Sequence, residues 1–427
     1  MNKLKESLRT WLKKAEYILK VDTIYIFRGS FWMTIGFIST TAASFISLVV
    51  YGNLLPKETY GIYSYLLSLA NTLSFLTLTG IGPSIVRAVA RGEEEVIPYA
   101  LKLQLKYNLL AIATIGAGAL YYAIKGNMVY ALALGIMSIA LPVGTAYHMT
   151  EQILTGRKQF RALSIITSII SIGSALLTAA TLLLTKNVLA LICVYSFVSV
   201  FPNLVIYYWI VSGRRASPDQ SSIAEMRHSA LHITGAGLIG TLAAYIDKIV
   251  LYKVAGPIIL AVYGFAIAGP ERLKGLMKNW ISISMPKLAS RDTEEIGASF
   301  GKRVTLVVLS GSIIAGIYIV LSPLLFKYLL PKYIDSVLYS QVYALNLIVY
   351  PVLTYIGTIF YSQNMIRAIY ISSTGNQVLR IVLFLFFGWK WHIWGLIIAS
   401  LLTQVTSAIY CILVWEYERK RLRNIPS

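Results

Sequence analysis

Apolar residues run through this chain in long blocks, separated by short polar joints. Twelve blocks reach the roughly 20 residues that a helix needs to cross a bilayer. They lie near 28–51, 60–86, 104–124, 128–153, 162–185, 188–211, 229–252, 257–285, 303–326, 337–360, 366–388 and 391–415. The joints are too short to hold a soluble domain. The pattern predicts an all-α polytopic membrane protein with twelve transmembrane helices.

The eighth block departs from the pattern. Glu271, Arg272, Lys274 and Lys278 stand well inside it. A charge at mid-membrane costs about 2.5–3.5 kcal/mol on the insertion scale, and each Leu or Ile returns only about 0.3–0.6 kcal/mol. Four such side chains cannot face lipid. At about 100° per residue, Glu271, Lys274 and Lys278 share a helix face, with Arg272 beside it. That face must meet water, a substrate or partner charges. The alternative is an interfacial helix whose charges snorkel out.

A shift of 200 residues lays the first two blocks on the seventh and eighth. Thr34 meets Thr234, Ala43 meets Ala243, Tyr63 meets Tyr263, Ser84 meets Ser284, and Glu94-Glu95 meets Glu294-Glu295. Six spans per half give parallel repeats about an axis along the membrane normal, two six-helix halves with a central cavity between them. The symmetry fails where charge enters. Ser47 becomes Asp247, Leu48 becomes Lys248, Asn71 becomes Glu271, Thr72 becomes Arg272, Ser74 becomes Lys274 and Leu78 becomes Lys278. Function is loaded onto the second half.

The expected divisions are an amphipathic cytoplasmic N-terminal segment (1–27), a first bundle (28–212), a polar cytoplasmic linker (213–227), a second bundle (228–416) and a basic cytoplasmic tail (417–427). In the N-terminal segment Leu4, Leu8, Trp11, Ala15 and Ile18 recur at helical spacing among lysines, as in a helix lying on the membrane rather than a cleavable signal. Arginines and lysines cluster on one side of the twelve runs, at Arg87, Arg91, Lys102, Lys106, Arg157, Lys158, Arg161, Arg214, Arg215, Arg227, Lys287, Arg291, Lys302, Arg303, Arg367 and Arg419. The opposite joints carry only lysines, among them Lys57, Lys125, Lys186, Lys253 and Lys332. This bias predicts that both termini are cytoplasmic in a multi-pass cell (plasma or inner) membrane protein.

Composition narrows the reading. The chain is 57% hydrophobic and 13% charged, about half the charged fraction of a soluble domain, with a formal net charge of +20. In a soluble protein that charge would suggest nucleic acid. Here it fits loops facing anionic lipid and a basic interior, and no nucleic-acid partner is expected. Cys193 and Cys411 fall inside apolar runs and give no disulfide framework.

Other polar residues compete for a role. Arg380 lies midway along the eleventh block, with Asn376 and Gln377 one turn earlier. It suits an anionic ligand, or a carboxylate partner in Asp247 or Glu271. Those two acids are the ones set well inside spans, and they are candidates for proton or sodium coupling or for structural salt bridges. Arg28 and Arg87, at span ends, suit headgroup anchoring or substrate capture at the entrance. His228 and His232 with Glu225 have spacing that could ligate a metal, but no further ligand is in sight, so no metal is expected. Pro83, Pro142, Pro202, Pro270 and Pro351 all lie in even-numbered blocks, and Pro270, just before the charged face, is expected to bend the eighth.

The string Leu55-Pro-Lys-Glu-Thr-Tyr-Gly-Ile-Tyr-Ser-Tyr65, followed by Thr79-Gly-Ile-Gly-Pro-Ser-Ile-Val-Arg87, resembles the polysaccharide (O-antigen type) flippases of the multidrug/oligosaccharidyl-lipid/polysaccharide exporter superfamily. The resemblance implies two six-helix bundles forming a V, alternating access and export of a polyprenyl-pyrophosphate-linked oligosaccharide. It also implies a cationic cavity for the anionic head, for which Arg272, Lys274, Lys278, Arg380 and Lys248 are the candidate contacts. A lipid-linked oligosaccharide, membrane lipids and glycan-assembly proteins are the expected partners of a monomer without a cofactor. Two alternatives stay open. A small-molecule or multidrug exporter of the same superfamily would favour an acidic cavity for cations. A membrane glycan polymerase or ligase would need a large loop or a catalytic His/Asp/Glu cluster, and neither is seen. No phosphate-binding glycine loop suggests direct ATP use.

Overall fold

The computed structural model describes residues 23–211, 219–282, 288, 291, 293–363 and 365–423. The expected N-terminal segment lies outside the described residues up to residue 22, and the expected linker up to residue 218. The first span is α1 (Thr23–Leu54), and the second is α2 (Lys57–Leu73) with α3 (Ile81–Ala90). Then come α4 (Ile97–Ile124), α5 (Met128–Tyr147) with α6 (Met149–Gly156), α7 (Phe160–Leu184) and α8 (Val188–Val211). The second half comprises α9 (Gln220–Ser282), α10 (Thr293–Leu329), α11 (Val337–Ala344) with α12 (Asn346–Ser362), and α13 (Ile366–Arg423).

Two of these helices are each two spans. In an unbroken helix Asp247 and Tyr263 would stand about 24 Å apart. Instead the Tyr263 hydroxyl donates to Asp247 Oδ2 at 2.9 Å. The chain reverses at Gly256, whose φ of 81° is left-handed and suits a residue without Cβ. In α13 the Ser407 hydroxyl donates to Asn376 Oδ1 at 2.6 Å, where a straight helix would hold them about 46 Å apart. That reversal falls at Trp391 and His392. Among the described residues eight helices are each long and apolar enough to span, and two bent pairs make ten. The two reversals then give the twelve crossings expected.

The prolines act unequally. Span two breaks by 63° between Leu76 and Ile81, next to the Thr79 carbonyl that the missing N–H of Pro83 leaves free. Helix α9 keeps helical dihedrals at Pro270 and departs from them at Gly256. The described chain resumes at Asp219, inside the stretch expected as the linker. Helix α9 already begins at Gln220, because the Asp219 carboxylate accepts hydrogen bonds from Ser221 and caps the helix start. Those bonds hold the Asp219 carboxyl below its usual value.

The halves meet closely at the lysine-bearing ends. A Cβ on Gly61 would stand 1.9 Å from the Pro257 carbonyl oxygen, so α2 and the α9 turn touch backbone to backbone. Tyr65 stacks on Tyr252 at 3.8 Å, and Tyr60 lies 4.7 Å from Phe265. Asn53 Nδ2 donates to the Leu329 carbonyl at 2.8 Å, and Lys57 pairs with Asp335 at 3.3 Å. Their shared core joins Tyr63, Tyr65 and Leu66 to Leu251, Tyr263 and Leu396. At the arginine-bearing ends the Gly80 N–H donates to Thr234 Oγ1 at 2.9 Å, and Arg91 pairs with Glu225 at 2.9 Å.

Candidate functional site

A cavity of about 580 Å³ opens among α9, α11, α12 and α13. Its size lies within the range of about 300–1,000 Å³ common to small-molecule sites. All its lining residues, from Ala244 to Gln404, belong to the second half, where the symmetry of the sequence fails. The hairpin of α9 brings Asp247 and Lys248 on one arm opposite Glu271, Lys274 and Lys278 on the other. The first arm of α13 adds Asn376, Gln377 and Arg380.

Glu271 is an anchor for its neighbours. Its Oε1 accepts from Lys274 Nζ at 2.6 Å and from the Tyr343 hydroxyl at 2.5 Å. Lys274 is buried, and its ammonium sits 4.8 Å above the Tyr343 ring and 5.7 Å from that of Tyr350. Glu271 and Lys274 thus form an i,i+3 ion pair along the helix. Asp247 is 4% exposed; Tyr263 holds its Oδ2, and its Oδ1 is buried without a hydrogen-bond partner.

Arg380 forms no ion pair with either acid among the described residues, contrary to the pairing considered for it. Its guanidinium lies 5.0 Å over the Phe384 ring, and its Nε is buried without a hydrogen-bond partner. It remains within electrostatic range of Glu271, Lys274 and Tyr343. Formal charges on the wall are four cations (Lys248, Lys274, Lys278, Arg380) against two carboxylates (Asp247, Glu271). The lining is net positive, and its low-dielectric surroundings strengthen that field.

Two other candidates, Arg272 and Arg87, lie elsewhere. Arg272 does not line the cavity. It is exposed on another side of α9, where Tyr60 of the first half is within electrostatic range. One residue is about 100° of helix, enough to carry Arg272 off the face of Glu271. Arg87 is exposed and borders a small cleft with Arg91 and Glu225 at the arginine-bearing ends. The side chain of Arg28 lies outside the described residues. His232 meets the Tyr370 hydroxyl at 3.1 Å, and no group of three potential metal ligands occurs among the described residues.

Sequence reasoning placed the tenth and twelfth spans but missed their contribution to the cavity wall. Tyr343, Tyr350, Thr354, Thr358 and Tyr361 line the cavity from α11 and α12, and Ser400, Thr403 and Gln404 line it from α13. A signal was present. Tyr350, Thr354, Gly357, Thr358 and Tyr361 recur at steps of three and four, a polar stripe along one helix face.

The family described as Polysaccharide biosynthesis protein matches residues 26–268. No curated protein matches the sequence significantly. Among solved structures, the chain is similar to an inward-facing multidrug resistance MATE family transporter of the MOP superfamily. The identity is 12%, the TM-score 0.70, and the match covers 91% of this chain and 96% of that one. An outward-facing conformation of such a transporter matches at 14% identity and TM-score 0.61, over 94% of this chain and 97% of that one. A MOP superfamily transporter from Pyrococcus furiosus matches at 14% identity and TM-score 0.62, over 94% of this chain and 96% of that one. Its structure is described as having a binding pocket of reverse polarity that suggests a different function. The fold is thus that of the MATE-like transporters.

Proposed function

The chain belongs to the polysaccharide biosynthesis protein family, and from that premise we propose that it is a transporter of a polyprenyl-(pyro)phosphate-linked oligosaccharide. It moves this lipid from the cytoplasmic to the outer leaflet by alternating access, with both termini in the cytoplasm. The observation that carries the reading is the net positive cavity, four cations against two carboxylates, with the Nε of Arg380 left without a partner. A pyrophosphate brings about two negative charges and sheds its water only where several donors replace it. Lys278 and Arg380 are the phosphate contacts in this reading. Lys274, already held by Glu271 and Tyr343, supplies field more than a directed bond. A drug cation would meet repulsion on the same wall. Asp247 and Glu271 are the acids placed to exchange a proton or bind sodium, and so to couple transport to a gradient.

The test is equilibrium binding of farnesyl pyrophosphate to the purified full-length chain, paired with export of the lipid-linked glycan in a strain lacking its own flippase. The double variant Lys278→Gln, Arg380→Gln should lose both activities while its melting temperature holds. Normal export by that variant would refute the assignment of the cavity to the head group.

A further inference from the structure

The cavity has two chemically different walls. All six charged lining residues stand on α9 and α13, whereas α11 and α12 contain no Asp, Glu, Lys or Arg. The α12 wall instead presents Tyr350, Thr354, Gly357, Thr358 and Tyr361 along one face. We infer that this face is the saccharide-recognition wall, which holds sugar rings of the cargo while the opposite wall holds its phosphates. The inference rests on the transport reading above and adds to it the residues that read sugar.

The chemistry of the face fits a pyranose and fits a phosphate poorly. A pyranose offers an apolar face of C–H groups and a rim of hydroxyls. An aromatic ring takes the first, and short polar side chains take the second. Thr354 Oγ1 donates to the Tyr350 carbonyl at 3.1 Å, and Thr358 Oγ1 donates to the Thr354 carbonyl at 2.8 Å. With its hydrogen turned back to the helix, each hydroxyl keeps lone pairs to accept from a ligand O–H. An anion needs donors instead. At Gly357 a Cβ would meet nothing within 4 Å, so the space before the two threonines is open.

The two walls meet at Lys274, whose ammonium lies 5.7 Å from the Tyr350 ring. Phosphates drawn to the charged wall therefore place the first attached sugar beside Tyr350. From Tyr350 to Tyr361 the helix runs about 16 Å, longer than one pyranose ring. Tyr361 is 60% exposed and stands at the open end of the stripe. Tyr343 is excluded from this role because its hydroxyl is bound to Glu271 at 2.5 Å.

The experiment uses the full-length chain in detergent with two kinds of probe. One is farnesyl pyrophosphate. The other is a panel of farnesyl-pyrophosphoryl glucose, galactose and N-acetylglucosamine. At least one sugar-bearing probe should bind more tightly than the bare one. Tyr350→Leu and Tyr361→Leu should each reduce that advantage about fivefold, as the loss of one stacked ring implies, with a smaller loss for farnesyl pyrophosphate itself. Tyr361→Phe should keep most of it. A panel with no member favoured over the bare probe overturns the inference, and so does an advantage that survives both leucine variants. An equal loss for both kinds of probe overturns it too, since that marks general damage. The transport reading fails by a different sign, farnesyl pyrophosphate binding that ignores Lys278→Gln and Arg380→Gln.

Discussion

The Tyr263 hydroxyl donates to Asp247 Oδ2 at 2.9 Å across the α9 hairpin, and the same two positions 200 residues earlier hold Tyr63 and Ser47. There the partnership is absent. Ser47 Oγ turns to the Ala43 carbonyl of its own helix at 3.0 Å, and Tyr63 accepts from the Tyr51 hydroxyl at 3.3 Å. The repeat keeps the tyrosine and changes its partner from a neutral group to a buried acid. A second symmetric pair behaves otherwise. Glu94 accepts from Arg157 Nε at 3.0 Å, and Glu294, its counterpart, pairs with Arg419 at 3.5 Å. At span ends, where anchoring is the need, the repeat is conservative. Inside the second half it has acquired charge, and that half forms the walls of the cavity.

The first prediction follows from Asp247. Its Oδ1 is buried without a hydrogen-bond partner, a costly state for a carboxylate unless a proton or cation joins it in the working cycle. Asp247→Asn should abolish gradient-driven transport while farnesyl pyrophosphate still binds within about threefold of normal. Glu271→Gln should also impair binding, because it releases Lys274 and Tyr343 together. The check is transport in proteoliposomes under an imposed proton or sodium gradient, beside a binding isotherm for each variant. Gradient-dependent transport by Asp247→Asn would remove Asp247 from the coupling step.

The second separates cavity charge from bystander charge. A charge-assisted hydrogen bond is worth about 1.5–3 kcal/mol. Arg380→Gln should therefore weaken farnesyl pyrophosphate binding about tenfold or more. Arg380→Lys should recover it only in part, since the planar fork is lost. Arg272→Gln should leave binding nearly unchanged, because Arg272 does not line the cavity. A larger loss from Arg272→Gln than from Arg380→Gln, read by calorimetry, would move the site toward the face shared with Tyr60.

Much of this was legible in the sequence for a plain energetic reason. A charge in an apolar run is too costly to hide, so Asp247, Lys248, Glu271, Lys274, Lys278 and Arg380 stand out, and all six line the cavity. The reversal between spans seven and eight was also marked, by the polar break around Gly256. What stayed hidden was direction. Arg272 and Glu271 are adjacent in sequence, and only tertiary packing decides which of them faces the cavity. The α12 stripe stayed hidden because tyrosine and threonine cost little in a membrane helix. Such residues do not betray whether they face lipid, protein or water.

The third prediction concerns the joint between the halves. Gly61 touches the Pro257 carbonyl so closely that a methyl group cannot be inserted without moving backbone. Gly61→Ala should destabilise the chain by about 1–3 kcal/mol, as overpacking does. At Gly116 of α4 a Cβ would meet nothing within 4 Å, so Gly116→Ala should be neutral or slightly stabilising. Thermal unfolding followed by intrinsic fluorescence should rank the two variants on opposite sides of the parent. The reverse order would show that α2 and the α9 turn are not apposed as described.

The last prediction is orientation, which the arginine asymmetry motivates. Lys186 and Lys332 are exposed at the lysine-bearing ends, and Gln159 is exposed at an arginine-bearing end next to the Arg157–Glu94 pair. In a background carrying Cys193→Ser and Cys411→Ser, single cysteines replace each of the three in turn. A membrane-impermeant maleimide applied to intact cells should label Lys186→Cys and Lys332→Cys. Gln159→Cys should react only after the membrane is made permeable. Since positive charge near span ends is retained on the cytoplasmic side, the expected contrast is complete rather than graded. The odd number of spans between Lys186 and Gln159 places them on opposite faces, so the pair serves as an internal control on the crossing count. Labelling of Gln159→Cys from outside together with silence at Lys186→Cys would invert the protein in the membrane. The net positive cavity would then have to be reached by its cargo from the other leaflet, against the direction of export proposed.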